Sequence, residues 1–410
     1  MREAGRTRLL ATLLTGQFMA NVDTAIANVA APSIRGTLRA SDVQLELVIS
    51  GYVFAYGVFL MAGARLGDLF GFRRVFAAGL AVFTLASAAC GLAPGAGALI
   101  AARVVAGAGA AFMVAQVLLG IQRSFSGDAR ARAIGLYALT LSGSAVVGQI
   151  AGGMLVWANL FGAAWRPAFL VNVPVGAALA LALALGARRR AERPAAPARD
   201  RVVRALLLPL RLEVFRVPAV GWGLVALATS FTTYAALLFV IALFLQEGLG
   251  ESAAASGFAM VSWVAAFGAG GFAVSRLSQR ATPRAAPAGF ALLALAFGGI
   301  SAATLAERPS SALLVALLAL GGLGFGGRSA LVTHLTRSID GRYAADLSGL
   351  IATSSPVAGA LGVALFGGGY LALAPHGAGR AFAATTAAFA VTAALAAIAA
   401  YRSAAAARTG

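Results

Sequence analysis

The chain has 410 residues, of which 60% are hydrophobic and 11% charged, and its mean hydropathy is +0.86. A soluble domain carries about 25% charged residues, so this composition excludes a water-solvated globule and makes lipid the main solvent of the fold. The net charge of +18 comes from 32 basic residues, all arginine, scattered through short loops; a nucleic-acid partner needs one continuous basic face and is not expected.

About 20 apolar residues are needed to cross the hydrocarbon core. Windows of that length place six spans near 9–31, 44–66, 75–93, 97–121, 133–157 and 168–187. Six more fall near 219–245, 254–275, 286–305, 311–335, 346–371 and 380–401. The first follows Arg2, Arg6 and Arg8 as a signal peptide would, but it is longer than an h-region and holds an acid, so an uncleaved helix is expected. With both termini cytoplasmic, 25 arginines lie in inner loops, 5 in outer loops and 2, Arg103 and Arg328, within spans. That asymmetry follows the positive-inside rule for an even number of helices. The expected fold class is all-α integral membrane, with twelve transmembrane helices in two pseudo-symmetric six-helix bundles, residues 1–187 and 219–410, joined by a cytoplasmic linker at 188–218. The linker is rich in arginine and proline, and its segment 205–208 is expected to lie at the membrane interface.

Span one carries Asp23 between apolar flanks. A carboxylate at bilayer depth costs about 2.5–3.5 kcal/mol on insertion scales, so such an acid is a functional candidate by default. Gln17, Asn21, Thr24 and Asn28 follow helical spacing and form one polar stripe. Asp23 lies roughly 100–160° around the helix from it. The stripe is expected to face a central cavity, and Asp23 a neighbouring helix where its protonation is sensed. Bonding between helices alone, at about 0.6 kcal/mol per group, is the simpler alternative.

Between spans two and three lies Ala64-Arg65-Leu66-Gly67-Asp68-Leu69-Phe70-Gly71-Phe72-Arg73-Arg74. Gly71 permits a tight reversal, Arg73 and Arg74 hold the loop on the inner face, and Asp68 can take hydrogen bonds from a helix N-terminus or pair with an arginine of the other half. Span four holds Arg103, which either snorkels outward or pairs with a carboxylate. Span five carries Gly148-Gln149-Ile150-Ala151-Gly152-Gly153, with small residues at close-packing spacing. Span six opens with Trp165-Arg166-Pro167 and continues through Asn172-Val173-Pro174.

In the second half, Thr229, Ser230, Thr232, Thr233 and Tyr234 form a polar turn that answers to span one. Gly321 to Gly327 allow bending or close packing of span ten, Ser354-Ser355-Pro356 is expected to kink span eleven, and His334 fits an interfacial position. Arg328 meets either an anionic substrate or a distant carboxylate. Cys90 is a lone packing residue, and two histidines without cysteines near them give no metal cluster and no cofactor.

Together the Asp23-Thr24 segment, the Asp68 loop, Arg103 to Gly109, the Gly148 run and the Trp165 to Gly176 stretch resemble the major facilitator superfamily, and most of all its drug:proton antiporter branch, which usually has fourteen helices. The likeness covers about residues 15–180, and this chain resembles a twelve-helix relative lacking the branch's central pair. The resemblance implies proton coupling through Asp23 and Arg103. It also implies a gate at Asp68, Gly71, Arg73 and Arg74, where Ala64, Leu69 and Phe72 replace the usual Gly, Arg and Arg. It further implies an antiport motif at Gly148, Gln149, Gly152 and Gly153, with Gln149 where proline is commoner. A substrate cavity is read at Gln17, Asn21, Thr24, Asn28, Thr233, Tyr234 and Arg328. The expected activity is proton-coupled efflux of an amphipathic small molecule by a monomer in the inner (plasma) membrane, whose partners are that substrate, protons and the lipid bilayer. A facilitator or importer of a metabolite, and a membrane sensor or scaffold, remain open; an enzyme is not expected, since no nucleophile–base pair stands out at membrane depth.

Overall fold

A computed structural model describes residues 3–187, 217–278, 281–306, 310–339 and 344–409. The expected linker, including its segment 205–208, lies outside these residues except for 217 and 218. The chain divides into two compact units, Met1–Leu208 and Pro209–Gly410. The described residues contain no strand.

The first unit comprises α1 (Glu3–Leu38), α2 (Asp42–Phe70), α3 (Phe72–Gly91), α4 (Ala96–Ser124), α5 (Gly127–Ala158) and α6, a turn at Arg166–Leu170 continued by Asn172–Ala187. Local chemistry marks the ends. Ser41 and Gln44 form a reciprocal capping box at the start of α2, which satisfies amides that would otherwise lack partners. Gly71 alone separates α2 from α3, with φ of +84°, a value that strains any residue bearing a Cβ. Asn159 ends α5 in the left-handed region and accepts a hydrogen bond from the Ala164 amide. The core of this unit is built on Leu13, Phe76, Leu80, Phe83, Met113 and Val117, all fully buried.

The second unit comprises α7 (Pro218–Leu243, extended by a π turn at Phe244–Gly248), α8 (Ala253–Ser275) and α9 (Thr282–Ala306). They are followed by α10 (Ser311–Phe325 and Arg328–Arg337), α11 (Ala344–Gly362, then a π turn at Val363–Gly367 and a last stretch to His376) and α12 (Ala378–Thr409). Its core is aromatic: Phe244 stacks on Phe382 with ring centroids 3.9 Å apart, and Trp263 on Phe297 at 5.7 Å.

These twelve long helices coincide with the twelve expected spans. Eleven are long and apolar enough to cross a membrane, and α1 is not among them. Its 36 residues reach about 54 Å, well beyond a bilayer core, so length is not the reason. The polar residues between Gln17 and Asn28 are: they lower the hydropathy of the helix that carries the most chemistry. Many large apolar side chains on the outer faces, among them Leu85, Leu139, Leu295 and Val391, are exposed, as a lipid solvent favours.

In α11 Pro356 sits inside a continuous α-helical run, and a π turn follows at Val363–Gly367. Span ten breaks at Gly326 and Gly327, between the two stretches of α10. Close packing explains the glycines there. A Cβ on Gly324 would lie 2.5 Å from the Gly289 carbonyl oxygen of α9, and one on Gly326 2.7 Å from the backbone of Gly270 in α8.

Candidate functional site

In the first unit, four helices converge on Asp23. The carboxylate is fully buried, and Arg103 of α4 donates to its Oδ2 at 2.5 Å. Asn172, at the start of the long part of α6, donates from Nδ2 to Oδ1 at 3.0 Å. Arg103 does not snorkel: it is 1% exposed, its Nε donates to the Val48 carbonyl of α2 at 3.1 Å, and its guanidinium lies over the Tyr52 ring at 4.1 Å and the Phe169 ring at 5.3 Å. Tyr52 in turn donates to the Ala20 carbonyl of α1 at 3.2 Å.

Sequence spacing produces this convergence. Val48 and Tyr52 are four apart on α2, and Arg103 and Gly107 four apart on α4, so each pair shares one helix face. A Cβ on Gly107 would collide with the Tyr52 backbone, so the glycine is what lets α4 approach closely enough for Arg103 to reach the Val48 carbonyl. Lower on the same interface, the buried Gln116 donates to the Gly63 carbonyl at 2.7 Å.

The glycine run of α5 packs against the same turn of α1. A Cβ on Gly148 would lie 2.7 Å from Ala25 Cβ, and one on Gly152 2.9 Å from Ile26 Cα. Gln149 and Gly153 are buried beside them, within a continuous α-helix. The backbones of α1 and α5 therefore touch on either side of Asp23. The polar stripe meets α5 as well: Gln17 donates to Asn21, and Asn21 donates to Ser144 Oγ at 3.0 Å. Thr24 and Asn28 donate to carbonyls of their own helix. Gln17 Oε1 and Asn28 Oδ1 are buried and accept no hydrogen bond from the described residues. Part of the stripe thus joins α1 to α5, while Asp23 faces α4 and α6.

Asp68 has a partner inside its own unit: Arg123, at the end of α4, donates to it at 2.7 Å. Both side chains of that pair are exposed, 62% and 45% respectively, which limits its stability to about 0.2–1 kcal/mol. Arg74 is exposed, and Arg73 lies against the Phe72 ring. Phe72 packs on α4, where a Cβ on Gly120 would lie 3.0 Å from its ring.

The second unit keeps its members close as well. Arg328 donates to the Leu227 carbonyl at 3.0 Å and to Ser355 Oγ at 2.5 Å, and lies 5.1 Å over the Phe231 ring. No carboxylate among the described residues pairs with it. Tyr234 stacks on Phe325 at 5.0 Å. Thr233 is fully buried, and its hydroxyl donates to the Ser230 carbonyl of its own helix.

A sequence profile of the Major Facilitator Superfamily matches residues 13–363. The chain belongs to that superfamily. Its relatives include the probable actinorhodin transporter of Streptomyces coelicolor, 39% identical over 43% of this chain and 30% of that protein. The methylenomycin A resistance protein of Bacillus subtilis is 34% identical over 57% and 50%. The cephamycin export protein of Amycolatopsis lactamdurans is 33% identical over 62% and 62%. In each case the chain spans less than two thirds of the relative's length. A solved structure of a bacterial homolog of the human lysosomal transporter Spinster shares the fold, with a TM-score of 0.77 at 21% identity over 100% of this chain and 98% of that one.

Within this superfamily fold, three residues that bear on the site escaped sequence reasoning. Asn172 stood inside a quoted motif, but an amide in an apolar run gives no charge signal. Tyr52 and Gln116 lie on helices that look uniformly apolar. Tyr52 lies one helical turn from Val48, whereas Gln116, 13 residues and about 140° around α4 from Arg103, has no spacing that singles it out.

Proposed function

We propose that the chain is a proton-driven exporter of an amphipathic small molecule, working by alternating access between two six-helix bundles joined at 188–218. The observation that carries this reading is the dry Asp23–Arg103 pair, closed on one side by Asn172 and on the other by the α1–α5 glycine contact. Charged as a pair, it ties α1 to α4 and, through Val48, to α2. When Asp23 takes a proton the attraction disappears, and Arg103 retains only a carbonyl and two rings. Proton binding therefore loosens contacts among the helices that hold the site, which gives it a means to bias one conformation over another. The relatives named as exporters and resistance proteins support the direction of transport and the drug-like class of substrate.

The membrane potential supplies about 2.3 kcal/mol per charge per 100 mV, or roughly a 50-fold gradient for each proton. Asp68, Gly71, Arg73 and Arg74 act as the inner gate. Gly148, Gln149, Gly152 and Gly153 set the closeness of α1 and α5. The protein works as a monomer in the inner (plasma) membrane with both termini cytoplasmic. The test is proton flux: in proteoliposomes holding a trapped pH dye, addition of actinorhodin, methylenomycin A or a cephamycin should release protons from the lumen when it is acidic. Absence of coupled flux with every compound, in vesicles whose protein is folded, contradicts the proposal.

A further inference from the structure

Each unit places an arginine of its fourth helix against a carbonyl and an aromatic ring of neighbouring helices. In the first unit a buried carboxylate neutralises that arginine. In the second, Arg328 has neutral partners only: the Leu227 carbonyl, the Ser355 hydroxyl and the face of Phe231. Those bonds use two of its five N–H donors, and the others have no acceptor among the described residues. A guanidinium at membrane depth without an acid is costly unless an anion visits it. The surroundings also fit a flat apolar body. From the Phe231 ring the aromatic surface continues to Tyr234, 5.4 Å away and backed by the buried Phe325, and both Phe231 and Tyr234 keep part of their surface open.

We propose that Arg328 is the anchor for an oxyanion, a carboxylate in the first instance, of a transported aromatic substrate whose rings lie along Phe231 and Tyr234. This rests on the transport reading above and adds the charge of the cargo. The fork geometry of a guanidinium suits two parallel hydrogen bonds to a carboxylate. Ser355, itself bonded back to the Ile351 carbonyl, holds the fork in place.

The test uses two dyes that share a three-ring frame and differ in charge, anionic fluorescein and cationic rhodamine 123. Binding of each to the full chain is followed by fluorescence anisotropy in nanodiscs of zwitterionic lipid. Arg328→Gln should weaken fluorescein at least tenfold and leave rhodamine 123 unchanged. Ser355→Asp supplies the internal acid that the first unit has, and should abolish fluorescein binding without lowering the melting temperature, so a poorly folded Arg328→Gln does not decide the matter. Failure of the wild type to bind fluorescein, equal losses for both dyes, or fluorescein binding that survives Ser355→Asp overturns the proposal. Displacement of fluorescein by added phosphatidylglycerol assigns the site to a lipid headgroup and overturns the substrate reading as well. Binding is read without any gradient, so a failure of proton coupling leaves these outcomes intact.

Discussion

Removing either member of the Asp23–Arg103 pair should be costly, removing both should not, and the two single losses should differ. Breaking a buried pair leaves an uncompensated charge, at about 3–5 kcal/mol, whereas replacing the whole pair with neutral groups is often close to neutral. The structure ranks the singles. Without Asp23, Arg103 keeps the Val48 carbonyl and the faces of Tyr52 and Phe169. Without Arg103, Asp23 keeps the single hydrogen bond from Asn172. Arg103→Leu should therefore lie at the upper end of that range and Asp23→Asn at the lower, with the double variant within about 1–2 kcal/mol of wild type. At about 2–4 °C per kcal/mol for a unit of this size, the singles should melt about 6–20 °C early. Cys90 provides the assay: it is the chain's one cysteine and is fully buried in the first unit, so a thiol-reactive fluorophore lights up as that unit opens. Additive costs in the double variant would refute the reasoning.

Three further outcomes follow from the same unit. Asn172→Ala removes one hydrogen bond to a charged group and should cost about 1.5–3 kcal/mol in the Cys90 melt; no loss would mean that Arg103 alone satisfies the carboxylate. Gly148→Ala and Gly152→Ala press a methyl group into α1 and should cost about 1–3 kcal/mol each, whereas Gly143→Ala, where nothing lies within 4 Å, should be neutral or slightly stabilising. Asp68→Asn should change stability by less than about 1 kcal/mol, because its pair with Arg123 is exposed, yet lower transport at least tenfold if the loop is a gate; full transport would remove that role.

The helices were legible because lipid imposes a simple rule, long apolar runs separated by arginine, and twelve runs became twelve helices. The same rule faltered where the chemistry is densest: the residues that make α1 interesting are those that take its hydropathy below that of a spanning segment. Asp23 and Arg103 announced themselves as charges in the wrong solvent, but their pairing joins positions 80 residues apart, and no local pattern encodes that. Asn172 and Tyr52 carry no charge and stayed hidden. Asp68 was visible, whereas its partner Arg123 looked like one more inner-loop arginine. The π turns of α7 and α11 and the break in α10 depend on packing between helices, to which a single-helix pattern is blind.

The central claim is that protonation of Asp23 couples the gradient to movement of substrate. Its most direct test is a proteoliposome comparison of wild type with Asp23→Asn under an imposed pH gradient and, separately, in substrate counterflow without one. The account predicts that Asp23→Asn loses gradient-driven accumulation and keeps counterflow exchange. Accumulation equal to wild type would contradict it.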